Sequence, residues 1–370
     1  MEAIRQLFKL FCGTCCCCCD YSESYVSING RRYSIRKLLG EGSFSFIYLV
    51  QLVGSVTSSN GLSGGGWYAL KRIRCPFGNI ESISAALKEV DNYKRFQSPY
   101  VVPLVDSQVA QERDGSKTVF VLLPYFPLGS LQDSTSRNLL NGTFISESEC
   151  VRIMIGIARG LRCLHDPSSR SQDSEPSQEQ DAVSMSYSDE AALLLEDTPL
   201  ELDILSSAHT LNSSSYAHRD MKPSNILFSS DGLPVISDLG SCSKADLTVT
   251  TRAQLNELQE WVLEHCTLQY TAPELLDVTL NTSVGTKVDI WSLGCTCYFM
   301  LFGISPFERE EQVSGASLKY AICTGKFSFP QQHRYSSRLI HLIKTCLQVD
   351  PAARPDINDL LTSLQELQVS

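Results

Sequence analysis

His218-Arg219-Asp220-Met221-Lys222-Pro223-Ser224-Asn225, followed thirteen residues after Asn225 by Asp238-Leu239-Gly240, is the stretch from which the rest of the chain can be read. It gathers a carboxylate, a cation two positions on, and two oxygen ligands, Asn225 and Asp238, into one hairpin. Transfer of a phosphoryl group calls for this set: a carboxylate near the acceptor hydroxyl, a cation to neutralise the moving charge, and hard oxygen ligands for Mg²⁺.

Upstream, a strand runs into Leu39-Gly40-Glu41-Gly42-Ser43-Phe44-Ser45-Phe46-Ile47, a glycine-rich turn between two strands. Glycines there let backbone amides approach phosphate oxygens without a side chain in the way. Taken alone, the turn reads more readily as an ordinary hairpin. The next strand carries Tyr68-Ala69-Leu70-Lys71-Arg72-Ile73. A lysine in so β-prone a run needs an anionic partner if it is buried, because an unpaired ammonium there is costly. Glu89 on the helix that follows, or nucleotide phosphates, would serve; a solvated edge-strand lysine is the plainer alternative.

The short β-rich runs RRYSIRKLL, SFIYLVQLV, WYALKRIRC and KTVFVLLPY occupy the first third of the chain, with one helical run, ISAALKEVDNYKRF, among them. Beyond Gly129 the periodicity is mainly helical, through ECVRIMIGIARGLRCLH, VDIWSLGCTCYFMLFG, RLIHLIKTCL and INDLLTSLQELQ. A β-rich unit therefore precedes a helix-rich one, and an α+β fold is expected. Two segments interrupt the pattern. Residues 54–66 are a Gly/Ser-rich loop. Residues 166–215 carry eleven Asp or Glu against a single Arg170, account for the net charge of −10, and read as a disordered acidic insertion with a docking element for a partner.

With 370 residues and 43% apolar content the composition is that of a globular protein, and its acidic balance excludes a nucleic-acid-binding surface. No apolar run approaches 18 residues and no signal peptide opens the chain, so a cytosolic, non-secreted protein without a transmembrane helix is expected. Fifteen cysteines do not imply a disulfide framework. Six crowd into Cys12, Cys15, Cys16, Cys17, Cys18 and Cys19, where neighbours cannot readily pair, and nine scatter singly.

Together with Ala272-Pro273-Glu274, Asp289-Ile290-Trp291-Ser292-Leu293-Gly294 and Arg354, these motifs resemble the landmarks of a eukaryotic protein kinase, in order from about residue 33 to 366. The resemblance implies a bilobal fold: a small lobe at 33–123 with one regulatory helix, a hinge at 124–127 and a large lobe at 128–366. It also assigns roles. Leu39, Gly40, Gly42, Ser45, Ile47, Ala69, Leu123 (the gatekeeper) and Tyr125 (hinge) would surround ATP. Lys71 would hold its phosphates and Glu89 would hold Lys71. Asp220 would orient and deprotonate the acceptor hydroxyl with Lys222 on the γ-phosphate, while Asn225 and Asp238 would ligate Mg²⁺. Lys222 and Thr267 resemble the serine/threonine class, with Thr267 bonded to Asp220 and Lys222, and Glu274 with Arg354 resembles a structural ion pair. Ser45 and Leu239 depart from the usual Gly and Phe without removing a ligand.

RAQLNELQEWVLEHCTLQYTAPELL, amphipathic through Leu255, Leu258 and Val262, makes the activation segment helical. That feature is similar to the Numb-associated kinase family, in its lipid-modified branch on trafficking membranes, and stretches such as FQSPYV and FGISPFEREE resemble a fungal vacuolar-membrane member. Glu at position 2 excludes N-myristoylation. The cysteine cluster, directly after Ile4, Leu7, Phe8 and Phe11 at helical spacing within residues 1–30, then becomes a site for S-acylation and for contact with a membrane surface. A metal site and a reduced tail are the competing readings. Expected overall is an ATP- and Mg²⁺-dependent kinase of protein Ser/Thr on the cytosolic face of an endomembrane, most simply the vacuole. The alternatives are a pseudokinase scaffold and a small-molecule kinase of similar fold.

Overall fold

Successive side chains of the apolar runs Phe46–Val50, Tyr68–Arg72 and Val119–Leu123 point to opposite faces of a strand, so each run has one face for a core and one for other uses. The structure, a computed structural model, describes residues 24–42, 45–54, 66–171 and 214–369. The predicted N-terminal helix and cysteine cluster, most of the Gly/Ser-rich loop, Ser43 and Phe44, and 172–213 of the acidic insertion lie outside the described residues. The fold is α+β, as a sheet unit that runs to Gly78 and resumes over Val105–Tyr125, and a helical unit of Asn79–Leu104 and the chain from Phe126 on.

In the sheet unit, β1 (Tyr25–Ile28), β2 (Arg31–Glu41), β3 (Ser45–Leu52), β4 (Trp67–Cys75), β5 (Asp106–Gln111) and β6 (Lys117–Pro124) form one antiparallel sheet in the order β1-β2-β3-β4-β6-β5. One face packs Ile28, Tyr33, Val50, Leu70, Phe120 and Leu122 into a core, with Tyr33 and Tyr68 edge to face at 5.8 Å. β1 corrects the expectation that the folded domain starts at Tyr33. Asn29 and Gly30, with φ of 46° and 78°, turn the chain back so that Val26 faces Tyr33, as an Asn-Gly hairpin turn does.

In the helical unit, α1 (Ile80–Arg95) is followed by α2 (Leu131–Leu140) and α3 (Glu147–His165). Then come the short strands β7 (Tyr216–Ala217), β8 (Ile226–Phe228), β9 (Pro234–Ile236), β10 (Ser243–Lys244) and β11 (Leu247–Thr248), and α4 (Arg252–His265). The remainder is α5 (Pro273–Leu276), β12 (Ser283–Val284), α6 (Lys287–Phe302), α7 (Pro306–Ser314), α8 (Leu318–Thr324), α9 (Ser337–Cys346) and α10 (Ile357–Val369). α1 is tied to the segment from Asp238 on through Asn92 and Tyr93. Asn92 Nδ2 donates to the carbonyls of Leu239 (3.0 Å) and Cys242 (2.9 Å). The acidic insertion is also shorter than expected at both ends. Pro167–Ser171 form a 3₁₀ turn, Asp166 accepts from Ser168 N at 3.0 Å, and Ser215 O accepts from Ala245 N at 2.9 Å.

α3 and α6 are the central helices, and α6 is buried on all sides from Val288 to Leu301. Gly156 and Gly160 let α3 lie against β9: a Cβ at Gly160 would stand 2.7 Å from Ile236 Cδ1 and 2.8 Å from the Tyr100 carbonyl oxygen. One charge interrupts the apolar surface of α6. The Asp289 carboxylate is fully buried and accepts from His165 Nε2 of α3 at 2.8 Å, from His218 N at 2.7 Å and from Arg219 N at 2.8 Å. Burial by itself pushes its pKa up. The hydrogen bond and charge of His165, the charge of His218 and the Arg219 amide outweigh that and hold the carboxyl below its usual range. Two helices and the loop after β7 therefore meet at one carboxylate.

Asp289→Asn should cost about 3–5 kcal/mol, the usual loss when a buried charge partner is removed, read as a fall in thermal midpoint. The native pKa is depressed, so this stabilisation is complete above the unfolded value of about 3.9 and is lost as pH falls through the native one. The gap between wild type and variant should therefore be full at about pH 6–7 and narrow below about pH 4; two parallel curves would contradict the assignment.

Candidate active site

β7 delivers the chain to His218, and β8 carries it away after Asn225. His218 Nε2 meets the Ser237 carbonyl at 3.0 Å, and Ser241 Oγ donates to the His218 carbonyl at 2.7 Å. Arg219 takes a left-handed φ of 66°. Its guanidinium donates to Ser243 Oγ, to the carbonyls of Lys244 (2.8 Å) and Ala245 (3.2 Å), and lies 5.6 Å from the centre of the Trp261 ring. Burial pulls its pKa down, with the Asp289 charge in opposition. This side chain ties the catalytic loop to the residues after Gly240 and to α4.

The loop then presents Asp220, only 7% exposed. Its Oδ1 accepts from Thr267 N at 2.9 Å and Thr267 Oγ1 at 2.7 Å; its Oδ2 accepts from Lys222 Nζ at 2.6 Å and Asn225 Nδ2 at 3.3 Å. Lys222 Nζ also donates to Thr267 Oγ1 at 2.7 Å. Asp220, Lys222 and Thr267 thus form a closed triangle, with Thr267 bonded to both of the others. Thr267 is placed by a short 3₁₀ turn (Leu268–Tyr270) after α4, whose N-terminus is capped by Thr251 and Gln254 in reciprocal hydrogen bonds. Leu258 and Val262 of α4 are buried and Leu255 is half-buried. Beside Thr267, the Cys266 thiol is pushed up to about 12 by burial and by the Asp220 carboxylate, so it stays protonated at neutral pH.

Asn225 donates its amide to the Asp220 carbonyl at 2.9 Å, which fixes the side chain and leaves its own side-chain oxygen as an available donor to a cation. Asp238 has φ 59° and donates its N–H to Tyr93 Oη of α1 at 3.0 Å. A Cβ at Gly240 would lie 3.3 Å from Glu89 Oε2 and 3.5 Å from Asp238 Oδ1, so the glycine gives two carboxylates room. An amide oxygen and a carboxylate are the hard donors that Mg²⁺ takes alongside substrate phosphates, and the donor set fits that ion. Among the described residues no group of three His, Cys, Asp or Glu forms a self-sufficient metal cage.

In the sheet unit, cross-strand register settles which face the predicted ATP residues occupy. Gly40 pairs with Ile47, Ile47 with Lys71, Lys71 with Val121, and Ala69 with Leu123. Paired residues project to the same side, so Gly40, Ile47, Ala69, Lys71 and Leu123 share the face opposite the apolar core. Lys71 is half-buried there. Leu39 sits at a bulge in β2, Gly42 and Ser45 close the glycine turn through Gly42 N to Ser45 O at 2.7 Å, and Tyr125 follows β6. Lys71 and Glu89 belong to different units and are each placed within their own.

Farther from the loop, Arg354 makes a bidentate pair with Glu274 at 2.7 and 2.8 Å and donates to the Gln348 carbonyl at 2.7 Å. Sequence reasoning assigned no role to His165, Asp289, Asn92 or Tyr93. One signal existed: Asp289 is the only charge between Val288 and Phe302 in a run long enough to be a buried helix, and a charge in such a place is there for a partner.

The chain matches the protein kinase domain family over residues 200–364. It is 61% identical over 362 residues to serine/threonine-protein kinase ENV7 of Saccharomyces cerevisiae, covering 98% of both chains. It is 34% identical over 351 residues to serine/threonine-protein kinase ppk13 of Schizosaccharomyces pombe, covering 95% of this chain and 94% of that one. With human serine/threonine-protein kinase 16 it shares 33% identity over 350 residues, 95% of each chain. These identities run nearly end to end and include the sheet unit as well as the catalytic loop, so the chain belongs to the protein kinase family and is a serine/threonine-protein kinase.

Proposed function

We propose that this kinase transfers the γ-phosphoryl group of ATP to Ser or Thr hydroxyls of proteins at the Asp220 triangle, with Mg²⁺ bound by Asn225 and Asp238. The observation that carries the reading is the hydrogen-bond set of Asp220. Both carboxylate oxygens are already oriented by Thr267, Lys222 and Asn225, so the acid is held to receive the proton of an incoming hydroxyl without reorganising. The Lys222 ammonium, fixed between Asp220 and Thr267, offsets charge on the transferred phosphoryl group. Mg²⁺, when bound, neutralises the phosphate oxygens and orients them. Lys71, on the face of the sheet opposite its core, holds the α- and β-phosphates. Gly40, Gly42 and Ser45 cover the phosphates from the glycine turn; Leu39, Ile47, Ala69, Leu123 and Tyr125 contact adenine.

We further propose that S-acylation at Cys12 and Cys15 to Cys19 holds the enzyme on the cytosolic face of an endomembrane, most simply the vacuole, where it acts in trafficking or fusion. The support is the cysteine cluster itself and the resemblance to lipid-modified kinases; several acyl chains hold a protein stably where one does not. No single helix among the described residues is long and apolar enough to cross a membrane. The acidic insertion is then free to engage a docking partner.

Two experiments test these readings. Purified wild type with Mg²⁺ and labelled ATP should place phosphate on Ser or Thr of itself and of a generic protein acceptor, and Asp220→Ala should lower the rate by about 10²–10⁴-fold; ATP binding without transfer by wild type would leave a scaffold. Replacing Cys15 to Cys19 with Ser should move the protein from the membrane pellet to the soluble fraction. Unchanged fractionation would sink the acylation reading.

A further inference from the structure

At the end of the sheet remote from the glycine turn, one row of side chains crosses four strands. Tyr25 of β1 pairs with Ser34 of β2, Ser34 with Gln51 of β3, and Gln51 with Trp67 of β4. Paired residues project to the same side. The neighbours of this row along each strand, Val26, Tyr33, Val50 and Tyr68, pack into or against the core, so the row lies on the opposite face. Arg32 and Arg36, two residues either side of Ser34, share that side. The Arg32 guanidinium lies 3.8 Å from the centre of the Tyr25 ring, and Arg36 Nη2 donates to Gln51 Oε1 at 3.0 Å. Lys37 pairs with Leu49 and joins them. Tyr25 and Trp67 are 41% and 45% exposed, and the three cations are exposed as well.

Charge at this end has one sign. Glu41 and Asp106 are the only carboxylates within the six strands, and they pair with Phe46 and Leu122, which belong to the core side. The chain as a whole carries −10, so an anionic surface repels it on average and can accept it only through a local cationic face. Exposed Tyr and Trp rings beside cations suit the boundary between water and lipid, where the rings lie at headgroup level and guanidinium groups meet phosphate. Position points the same way. Cys19 stands six residues before Tyr25, and six residues span at most about 21 Å, so a lipid on that cysteine keeps this end of the sheet close to the bilayer.

We propose that the face carrying Tyr25, Arg32, Arg36, Lys37 and Trp67 is a membrane-contact surface fitted to an anionic lipid bilayer. The inference rests on the membrane reading above and extends it from the anchor to the folded domain, because it sets which side of the sheet turns to the lipid. Each cation near an anionic leaflet strengthens binding about fivefold. Three of them orient the protein, and acyl chains supply the lasting attachment.

The test uses full-length, unacylated protein floated with phosphatidylcholine vesicles with and without phosphatidylserine. Wild type should bind the anionic vesicles more tightly, and less so as salt is raised. Arg32→Ala with Arg36→Ala should weaken that binding roughly 20-fold. Arg72→Ala with Arg74→Ala, which removes the same charge from the core side of the sheet, should bind as wild type does. An ATP-induced thermal shift in all three proteins reports the fold. Equal loss in both double variants, wild-type affinity in the first, or no preference of wild type for anionic vesicles overturns the face. The acyl anchor is judged apart from this, by fractionation of the Cys15 to Cys19 variant: if that variant stays in the membrane pellet while vesicle binding still depends on Arg32 and Arg36, the anchor falls and the face stands.

Discussion

The geometry of the loop that carries Asp220 depends on one buried carboxylate. Asp289 sits on a helix with no other charge after Lys287, and three donors from two other parts of the chain converge on it. Desolvating an ion costs several kcal/mol, which a single neutral hydrogen bond does not offset. Two backbone amides and an imidazole do, and their combined effect shows in a pKa below the ordinary value despite complete burial. Because both amides belong to consecutive residues, His218 and Arg219, the carboxylate fixes the path of the backbone immediately before Asp220. α6 therefore positions the Asp220 loop from behind, through its backbone.

From that anchor the order passes outward in two directions. The Asp220 carboxylate is oriented by Thr267 and Lys222, so its placement also requires the segment that ends α4. Arg219 reaches the opposite stretch, meeting the carbonyls of Lys244 and Ala245 and the face of Trp261. Main-chain oxygens and an aromatic face thus occupy the guanidinium, and α4 joins the same network through Trp261, which stacks on His265 at 4.9 Å. Preorganisation of this kind is where much of an enzyme's acceleration resides, since dipoles set in advance need not reorient during the reaction.

Much of this was legible in the sequence, for physical reasons that differ by element. β4 was read as Trp67–Cys75 and observed there, because Trp67, Tyr68 and Ile73 make the run strongly β-forming. The catalytic loop was legible because its chemistry needs given residue types at given spacing. β5 was not, since Asp106–Gln111 is an edge strand of mostly polar residues held by its neighbour's backbone. α2 was also missed: Leu131 and Thr135 are its only buried residues, and its local signal was the Ser130–Asp133 capping box. β1 had a readable cue in Asn29-Gly30 that its four-residue length obscured. The partners of Asp289 lie 124, 71 and 70 positions away along the chain, and no periodicity reports a contact of that range.

Hydrogen exchange at the His218 and Arg219 amides, compared between wild type and Asp289→Asn at neutral pH, tests the anchoring role most directly. Both amides should be strongly protected in wild type and should exchange much faster in the variant, while amides of the β8–β9 hairpin change far less. Equal protection at 218 and 219 in the two proteins would show that the loop is held by something other than Asp289.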